Sequence, residues 1–187
     1  MSNIYSEKYE RVCGIDTPIH WSVTFGEHVK IGENVVIDAG CKIGSNVFIG
    51  HNTVVRSNVE IGNDSIIGHL VMIEANTVIG HDTTIQSQCH ITKNAIIGNH
   101  IFFGPTATVI NTHRISHGRD YDAKLLVTTV KDWARIGTGS ICMPGVTIGK
   151  NAHLAAGAVA TKDVPDCEIW AGVPAKYIKN TPKDEIV

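Results

Sequence analysis

The chain of 187 residues carries 16 Lys and Arg against 18 Asp and Glu, and 43% of its residues are hydrophobic. Its length is that of one domain with a sizeable core, and the net charge of −2 gives no basic excess that would favour nucleic acid or an anionic membrane as a partner. No apolar run approaches the roughly 18 residues of a membrane span, and the first residues lack the apolar stretch of a secretory signal, so we expect a cytoplasmic location.

Residues 1–18 show no regular pattern, but from Ile19 onward an apolar residue recurs at every sixth position as far as Val109. A period of six matches neither the turn of an α-helix nor the alternation of a β-strand. Such a repeat indicates stacked units that bury their apolar sides together. The repeated positions are Ile19, Phe25, Ile31, Ile37, Ile43, Ile49, Val55, Ile61, Ile67, Ile73, Ile79, Ile85, Ile91, Ile97, Phe103 and Val109.

This hexapeptide repeat resembles that of the left-handed parallel β-helix proteins. The resemblance implies an all-β fold in which each six-residue unit is a short strand and a corner, and three units form one triangular coil. The large apolar side chain then points into the prism, a small one packs near each corner, and glycine suits the bends because it tolerates a positive φ. We expect residues 1–18 to cap the first coil, whose edge is otherwise free to pair.

The five cysteines are scattered and form no CxxC pair, so neither a disulfide framework nor a zinc site is predicted. Cys41 and Cys89 occupy small-residue positions of the repeat, which favours a packing role. The set is Cys13, Cys41, Cys89, Cys142 and Cys167.

A second six-residue run follows at Ile136, Cys142, Ile148, Leu154 and Ala160, and it is out of phase with the first. Residues 110–135 are therefore predicted to leave the coil as an extruded loop, and a loop of that length in a compact domain is often functional. The predicted organisation is a cap at 1–18, a β-helix at 19–165 that contains this loop, and a C-terminal tail segment at 166–187.

Three short motifs lie near the C-terminal end: PGVTIG at 144–149, TKDVP at 161–165 and GVPAK at 172–176. With the repeat, they resemble the hexapeptide acyltransferases that use acetyl-CoA, including galactoside, maltose and polysaccharide-pathway sugar acetyltransferases. The resemblance implies acetyl-CoA as co-substrate, no metal, a sugar or nucleotide-linked sugar as acceptor, and a homotrimer with active sites between subunits.

Six residues match the coenzyme-contacting positions of that family. A groove along stacked coils suits the long, thin coenzyme, whose phosphates the lysines would meet as point charges. The matching residues are Thr138, Ala156, Thr161, Lys162, Lys176 and Lys179.

In the same family a histidine entering the loop acts as general base, and His113 is the candidate in this chain. A histidine with an ordinary pKa near ~6.5 is neutral and basic at pH 7. Aligned on the preceding coil, the family's histidine falls one position later, on Arg114, so this loop is one residue shorter. His117 is the second candidate, and Asp120 or Asp122 would orient either ring.

The segment GPTATVIN at 104–111 partly resembles the Asn-rich stretch of amino-sugar N-acetyltransferases with this fold, which makes Asn111 a further candidate in the catalytic site. N-transfer to an amino sugar and O-transfer to a hydroxyl both stay open.

Two functions of other classes compete. One is a metal-dependent hydratase resembling the γ-class carbonic anhydrases, for which His51 and His69 come into question because they are eighteen residues apart. In that family a second histidine follows the first by five residues, but here Arg56 and Glu74 occupy those positions after His51 and His69. The two histidines are therefore better explained as surface residues at the corners than as metal ligands. The other is a non-catalytic β-helix scaffold.

Overall fold

The computed structural model describes residues 9–11 and 18–187 of the chain. These residues form three sheets of short strands, nearly all parallel, and one 3₁₀ segment at Lys183–Glu185. Successive strands belong to sheets A, B and C in turn, so the backbone winds as a parallel β-solenoid. The all-β class predicted from the repeat is confirmed. Among the described residues, no helix has the length and apolar character needed to cross a membrane.

Each sheet collects one strand from every coil. Sheet A contains Tyr9–Arg11, Val29–Ile31, Phe48–Ile49, Ile66–Ile67, Thr84–Ile85, Phe102–Phe103, Arg135–Ile136, His153–Leu154, Glu168–Ala171 and Lys176–Asn180. Sheet B contains Val36–Ile37, Val54–Val55, Met72–Ile73, His90–Ile91, Thr108–Val109, Ile141–Cys142 and Val159–Ala160. Sheet C contains Thr24–Phe25, Lys42–Ile43, Glu60–Ile61, Val78–Ile79, Ile96–Ile97, Thr129–Val130 and Thr147–Ile148.

Register places equivalent residues of successive coils directly beside one another. Ile31 pairs with Ile49 and Ile49 with Ile67, each eighteen residues further on. All three are at most 1% exposed, as are Ile85 and Phe103 further along the same column. The six-residue repeat therefore fills the interior of the prism, and that interior leaves no room for a ligand.

The structure corrects the expectation that glycine occupies the bends because of its tolerance of a positive φ. Most described corner residues with a positive φ are not glycine but polar residues such as Asn46, Asn52 and Asp64, whose short side chains tolerate this backbone conformation. Several repeat glycines instead lie where the next coil is very close: a Cβ on Gly50 would be 2.6 Å from the carbonyl carbon of Gly68. Glycine at this position permits close stacking of coils.

The extruded loop is shorter than predicted. Thr129–Val130 already belongs to sheet C, where it pairs with Ile96–Ile97 and Thr147–Ile148, so the excursion spans 110–128 and not 110–135. Val130 lies six residues before Ile136 and continues the second apolar run backward. Thr128 is buried at the point of return, and its Oγ1 donates to the carbonyl oxygens of Ile110 at 3.1 Å and Met143 at 3.2 Å.

The first and last described strands both belong to sheet A. Glu168–Ala171 runs parallel to His153–Leu154, and Lys176–Asn180 returns antiparallel to it, so the segment after 165 continues this sheet. At the opposite edge, Tyr9–Arg11 pairs parallel with Val29–Ile31. The remainder of the cap predicted at 1–18 lies outside the described residues, except Pro18.

Candidate active site at the root of the extruded loop

The extruded loop leaves the coil at the corner between sheets B and C, which we call the B–C corner, and Asn111 holds its root. This side chain is 7% exposed, and its Nδ2 donates to the carbonyl oxygen of Lys93, one coil earlier, at 3.1 Å. Its Oδ1 accepts from Thr112 Oγ1 at 3.1 Å, and its carbonyl oxygen accepts from the backbone N–H of Leu126 at 2.7 Å. Asn111 therefore ties both legs of the loop to the preceding coil.

The two candidate histidines both lie on the exposed part of the loop. The backbone N–H of His113 donates to the carbonyl oxygen of Lys124 at 3.4 Å, which keeps His113 on the paired stem next to the root. His117 lies further out. Neither imidazole has a hydrogen-bond partner among the described residues, and neither Asp120 nor Asp122 forms an ion pair with them. The predicted orienting carboxylate is thus not supplied by this part of the single chain.

The predicted coenzyme residues are all exposed and fall into three groups. Thr138 and Ala156 follow each other on the corner between sheets A and B. Thr161 and Lys162 lie on the B–C corner, which also carries the loop root, two coils nearer the C-terminal end. Lys176 and Lys179 belong to the last strand of sheet A.

Those three groups surround the C-terminal end of sheet B. The backbone N–H of Val159 donates to the carbonyl oxygen of Gly172 at 3.0 Å, and Ala175 donates to Val159 at 2.8 Å. The GVPAK segment therefore covers the last strand of sheet B, and Lys176 is its last residue. This brings Lys176 toward the corner groups, whereas Lys179 continues along the outer strand.

A charged cavity that the sequence analysis did not identify lies on the other side of the loop root. It has a volume of about 320 Å³ and is lined by Arg56, Met72, Glu74, Ala75, His90 and Lys93. His90 Nε2 is 3.0 Å from Glu74 Oε1, and Glu74 Oε2 accepts from the backbone N–H of Lys93 at 2.9 Å. Arg56 Nε is 2.7 Å from Asp38 Oδ2. Because Asn111 binds Lys93, the cavity adjoins the loop root directly.

The three buried cysteines offer no thiolate to this region. Burial raises the pKa of the Cys142 thiol to about 12 and that of Cys89 to about 11. Burial also raises the pKa of Cys41. These thiols are protonated and enclosed at neutral pH, as the packing role predicts.

A larger depression of about 410 Å³ lies on sheet C, between Ile96, Lys131, Lys150 and Asp166. Lys131 Nζ and Asp166 Oδ1 are 3.3 Å apart across it, so its charges pair with each other. It begins at Thr129 and Val130, on the returning side of the loop, and because its charges pair with each other we place the candidate site at the smaller cavity.

Comparisons with known proteins bear on this geometry. Residues 15–117 match the family model described as the GMPPB C-terminal domain, and residues 132–162 match the one described as the hexapeptide repeat of succinyl-transferase. A galactoside O-acetyltransferase from Lactococcus lactis is 38% identical over 82 residues, 41% of this chain and 38% of that protein. A 2,3,4,5-tetrahydropyridine-2,6-dicarboxylate N-acetyltransferase from Staphylococcus aureus is 46% identical over 50 residues, 27% of this chain and 21% of that protein.

Among solved structures, the polySia specific acetyltransferase NeuO has a TM-score of 0.66 at 18% identity, over 97% of this chain and 89% of that one. WeeI from Acinetobacter baumannii AYE has a TM-score of 0.58 at 27% identity, over 68% of this chain and 55% of that one. The first likeness confirms the β-helix class. The chain spans about two fifths or less of the length of the two curated relatives named above.

Proposed function

The chain belongs to the family described by the GMPPB C-terminal domain model, which matches residues 15–117. We propose that it is a hexapeptide-repeat acetyltransferase that transfers an acetyl group from acetyl-CoA to a hydroxyl or amine of a sugar or nucleotide-linked sugar. The observation that carries the proposal is the position of the loop root. It stands between the motif residues at the C-terminal end of sheet B and the charged cavity that adjoins Lys93.

The donor side is the C-terminal end of sheet B. In the proposal the pantetheine arm follows the exposed corner of Thr138 and Ala156, where it meets backbone amides. Lys162 and Lys176 interact with the coenzyme phosphates, and Thr161 and Lys179 line the same path. The exposure of all these residues supports this assignment, because a coenzyme needs an open groove.

The acceptor side is the cavity of Arg56, Glu74, His90 and Lys93. Its charged side chains stand beside the apolar Met72 and Ala75, a combination that suits a sugar, whose hydroxyl or amino groups need donors and acceptors and whose ring carbons need apolar contact. Glu74 is held by two contacts, one with His90 and one with the backbone of Lys93, and so offers a fixed carboxylate. The relatives include both an O- and an N-acetyltransferase, so both kinds of acceptor belong in the test.

His113 is the proposed general base. Its imidazole nitrogen takes the proton from the acceptor O–H or N–H as that atom attacks the thioester carbonyl carbon. The carbon–sulfur bond then breaks, and the leaving coenzyme A thiolate takes the proton back from the imidazolium. A backbone amide near the coil edge stabilises the oxyanion. The exposed ring next to the loop root, without a partner among the described residues, supports this role, and the proposed step needs no metal ion.

A homotrimer is part of the proposal. Large apolar side chains point outward from sheets A and C and are 43–48% exposed in the single chain: Ile66, Phe102, Val78 and Ile96. Packing against neighbouring copies would remove them from water. A neighbouring copy would also supply the partner that the His113 ring lacks within the described chain.

The test measures thiol release from acetyl-CoA across amino sugars, nucleotide sugars and simple glycosides. With the acceptor that gives the highest rate, His113→Ala should lower kcat by about 10²–10⁴, because a positioned base contributes that much. The dissociation constant of acetyl-CoA should not change, and His117→Ala is the matched control. Full turnover in His113→Ala would show that the base is another residue.

Glu74→Gln tests the acceptor side separately. It should raise the KM of the acceptor while the KM of acetyl-CoA stays the same. If acetyl-CoA gives no thermal shift in the wild-type chain, the enzyme proposal fails and the scaffold function takes its place.

A further inference from the structure

Two histidines and an aspartate, side chains of the types that ligate metal ions, converge at the corner between sheets C and A, which we call the C–A corner. His81 Nδ1 is 2.7 Å from Asp82 Oδ2, and His100 Nδ1 is 3.7 Å from the same oxygen. One ligand atom from each residue lies within 4.8 Å of the other two. Asp82 and His100 are eighteen residues apart and therefore occupy the same position on successive coils.

The backbone around these ligands is fixed by hydrogen bonds. The N–H of His81 donates to Asn99 Oδ1 at 3.0 Å, and the N–H of His100 donates to the carbonyl oxygen of His81 at 3.0 Å. Trp133 stacks on the His100 ring with centroids 3.9 Å apart and an angle of 11°. The backbone N–H of Trp133 donates to the carbonyl oxygen of Asn99 at 3.0 Å. The cluster is thus held in place by contacts that come from three successive coils.

We propose that His81, Asp82 and His100 bind one divalent first-row transition metal ion, with Zn²⁺ as the expected occupant. Two imidazole nitrogens and a carboxylate oxygen are ligands for such ions, whereas Mg²⁺ and Ca²⁺ prefer oxygen alone. With metal–ligand bonds of about 2.1 Å, neighbouring ligand atoms of a tetrahedral site are roughly 3.4 Å apart. The observed 2.7 Å and 3.7 Å lie on either side of that value, and all three side chains are partly exposed and free to rotate slightly.

The second histidine pair of the fold, His51 and His69, provides the contrast. Their rings stack in parallel with centroids 5.1 Å apart. Each Nδ1 accepts a backbone N–H, from Glu33 and from His51 respectively, at 2.9 Å. These lone pairs are used within the corner, so this pair serves as a control and not as a second site.

The ion would strengthen the stack across the point where the loop is inserted. His81 and Asp82 lie one coil before His100, and Trp133 lies in the first corner after the loop returns. Sheet B, with the loop root and the charged cavity, is the opposite side of the triangle. The ion therefore stabilises the coils at a distance from the loop root of its own chain.

The experiment uses the full chain without a histidine tag, treated with a chelator and then exchanged into buffer at pH 8, where imidazole is ordinarily neutral. Zn²⁺ binding is measured by calorimetry, and Ni²⁺ binding by quenching of tryptophan fluorescence. We expect one Zn²⁺ per chain and quenching of Trp133. Trp133→Phe should bind Zn²⁺ with the same stoichiometry but lose the Ni²⁺-dependent signal.

Asp82→Asn tests the site with little risk to the fold, because Asn tolerates the positive φ of 50° found there. It should weaken Zn²⁺ binding at least about tenfold, and His100→Ala should abolish it, whereas His69→Ala should bind as the wild type does. Equal affinity in wild type, Asp82→Asn and His100→Ala would overturn the proposal, as would the absence of Zn²⁺ binding in the wild type. Acetyl transfer is measured separately, and its failure would leave the Zn²⁺ result unaffected.

Discussion

Gly50→Ala tests whether the repeat glycines serve close stacking of coils or backbone freedom. A Cβ on Gly50 would lie 2.6 Å from the carbonyl carbon of Gly68 and 2.7 Å from its oxygen and from the N of His69. Ordinary contact begins near 3.4 Å, so the coils must separate by about 0.8 Å at this corner. That movement lengthens the bond from the Gly50 N–H to the carbonyl oxygen of Ile67, now 2.8 Å.

The expected cost combines two effects. Overpacking a close contact costs about 1–3 kcal/mol. Weakening one buried backbone hydrogen bond adds about 1–3 kcal/mol when its groups lose their partner. Gly50→Ala should therefore lower the free energy of unfolding by about 2–6 kcal/mol, measured by urea denaturation.

Gly157→Ala is the matched control. Gly157 has a φ of +67° and no atom within 4 Å of an added Cβ, so only backbone strain of about 1–2 kcal/mol opposes the substitution. Gly157→Asn should cost less still. A larger loss for Gly157→Ala than for Gly50→Ala would refute the stacking argument and restore backbone freedom as the main role.

Three further outcomes follow from the described contacts. Asn111→Ala should lower the free energy of unfolding by about 1–3 kcal/mol, because the Lys93 carbonyl oxygen loses its donor. Limited proteolysis should cut the loop faster, and an unchanged cleavage rate would contradict the anchoring role. Ile85→Ala should cost about 2–5 kcal/mol and Ile85→Val about 0.5–1.5 kcal/mol in denaturant titrations; equal costs would contradict a packed interior. Burial, with Arg135 nearby, lowers the pKa of His153, so below about pH 6.5 the unfolded chain binds more protons than the folded chain and the free energy of unfolding decreases as the pH is lowered. His153→Gln should therefore make the free energy of unfolding less dependent on pH between pH 5 and 7.

The predicted loop shows how far a repeat can be followed in sequence alone. The first apolar run predicted the coils correctly, because each interior position must be filled by a large apolar side chain whatever surrounds it. The return at Thr129 was missed, although Val130 keeps the six-residue step back from Ile136. The stretch before it contains further apolar residues, such as Leu125 and Val127, and only strand pairing separates the loop from the coil.

The candidate site was predictable in part. The motifs at 144–176 and the histidine at 113 are local features of the sequence, and their roles remain predictions. His90 and Glu74 are sixteen residues apart and do not pair in the register of sheet B, where His90 lies beside Met72. Their contact runs diagonally between neighbouring coils of sheet B, so the repeat does not reveal it. Asp82 and His100 are eighteen residues apart and could have been found by reading along the coil period.

The sequence by itself determined that an apolar residue recurs at every sixth position with one long interruption, and the resemblance of that repeat to the β-helix proteins implied a prism of stacked coils. Only the tertiary structure decided which polar side chains meet on the outside of that prism. Exposed positions are free to vary without loss of the core, so the repeat carries no information about them. The cavity beside Asn111 and the cluster at His81, Asp82 and His100 exist because separate coils bring these side chains together.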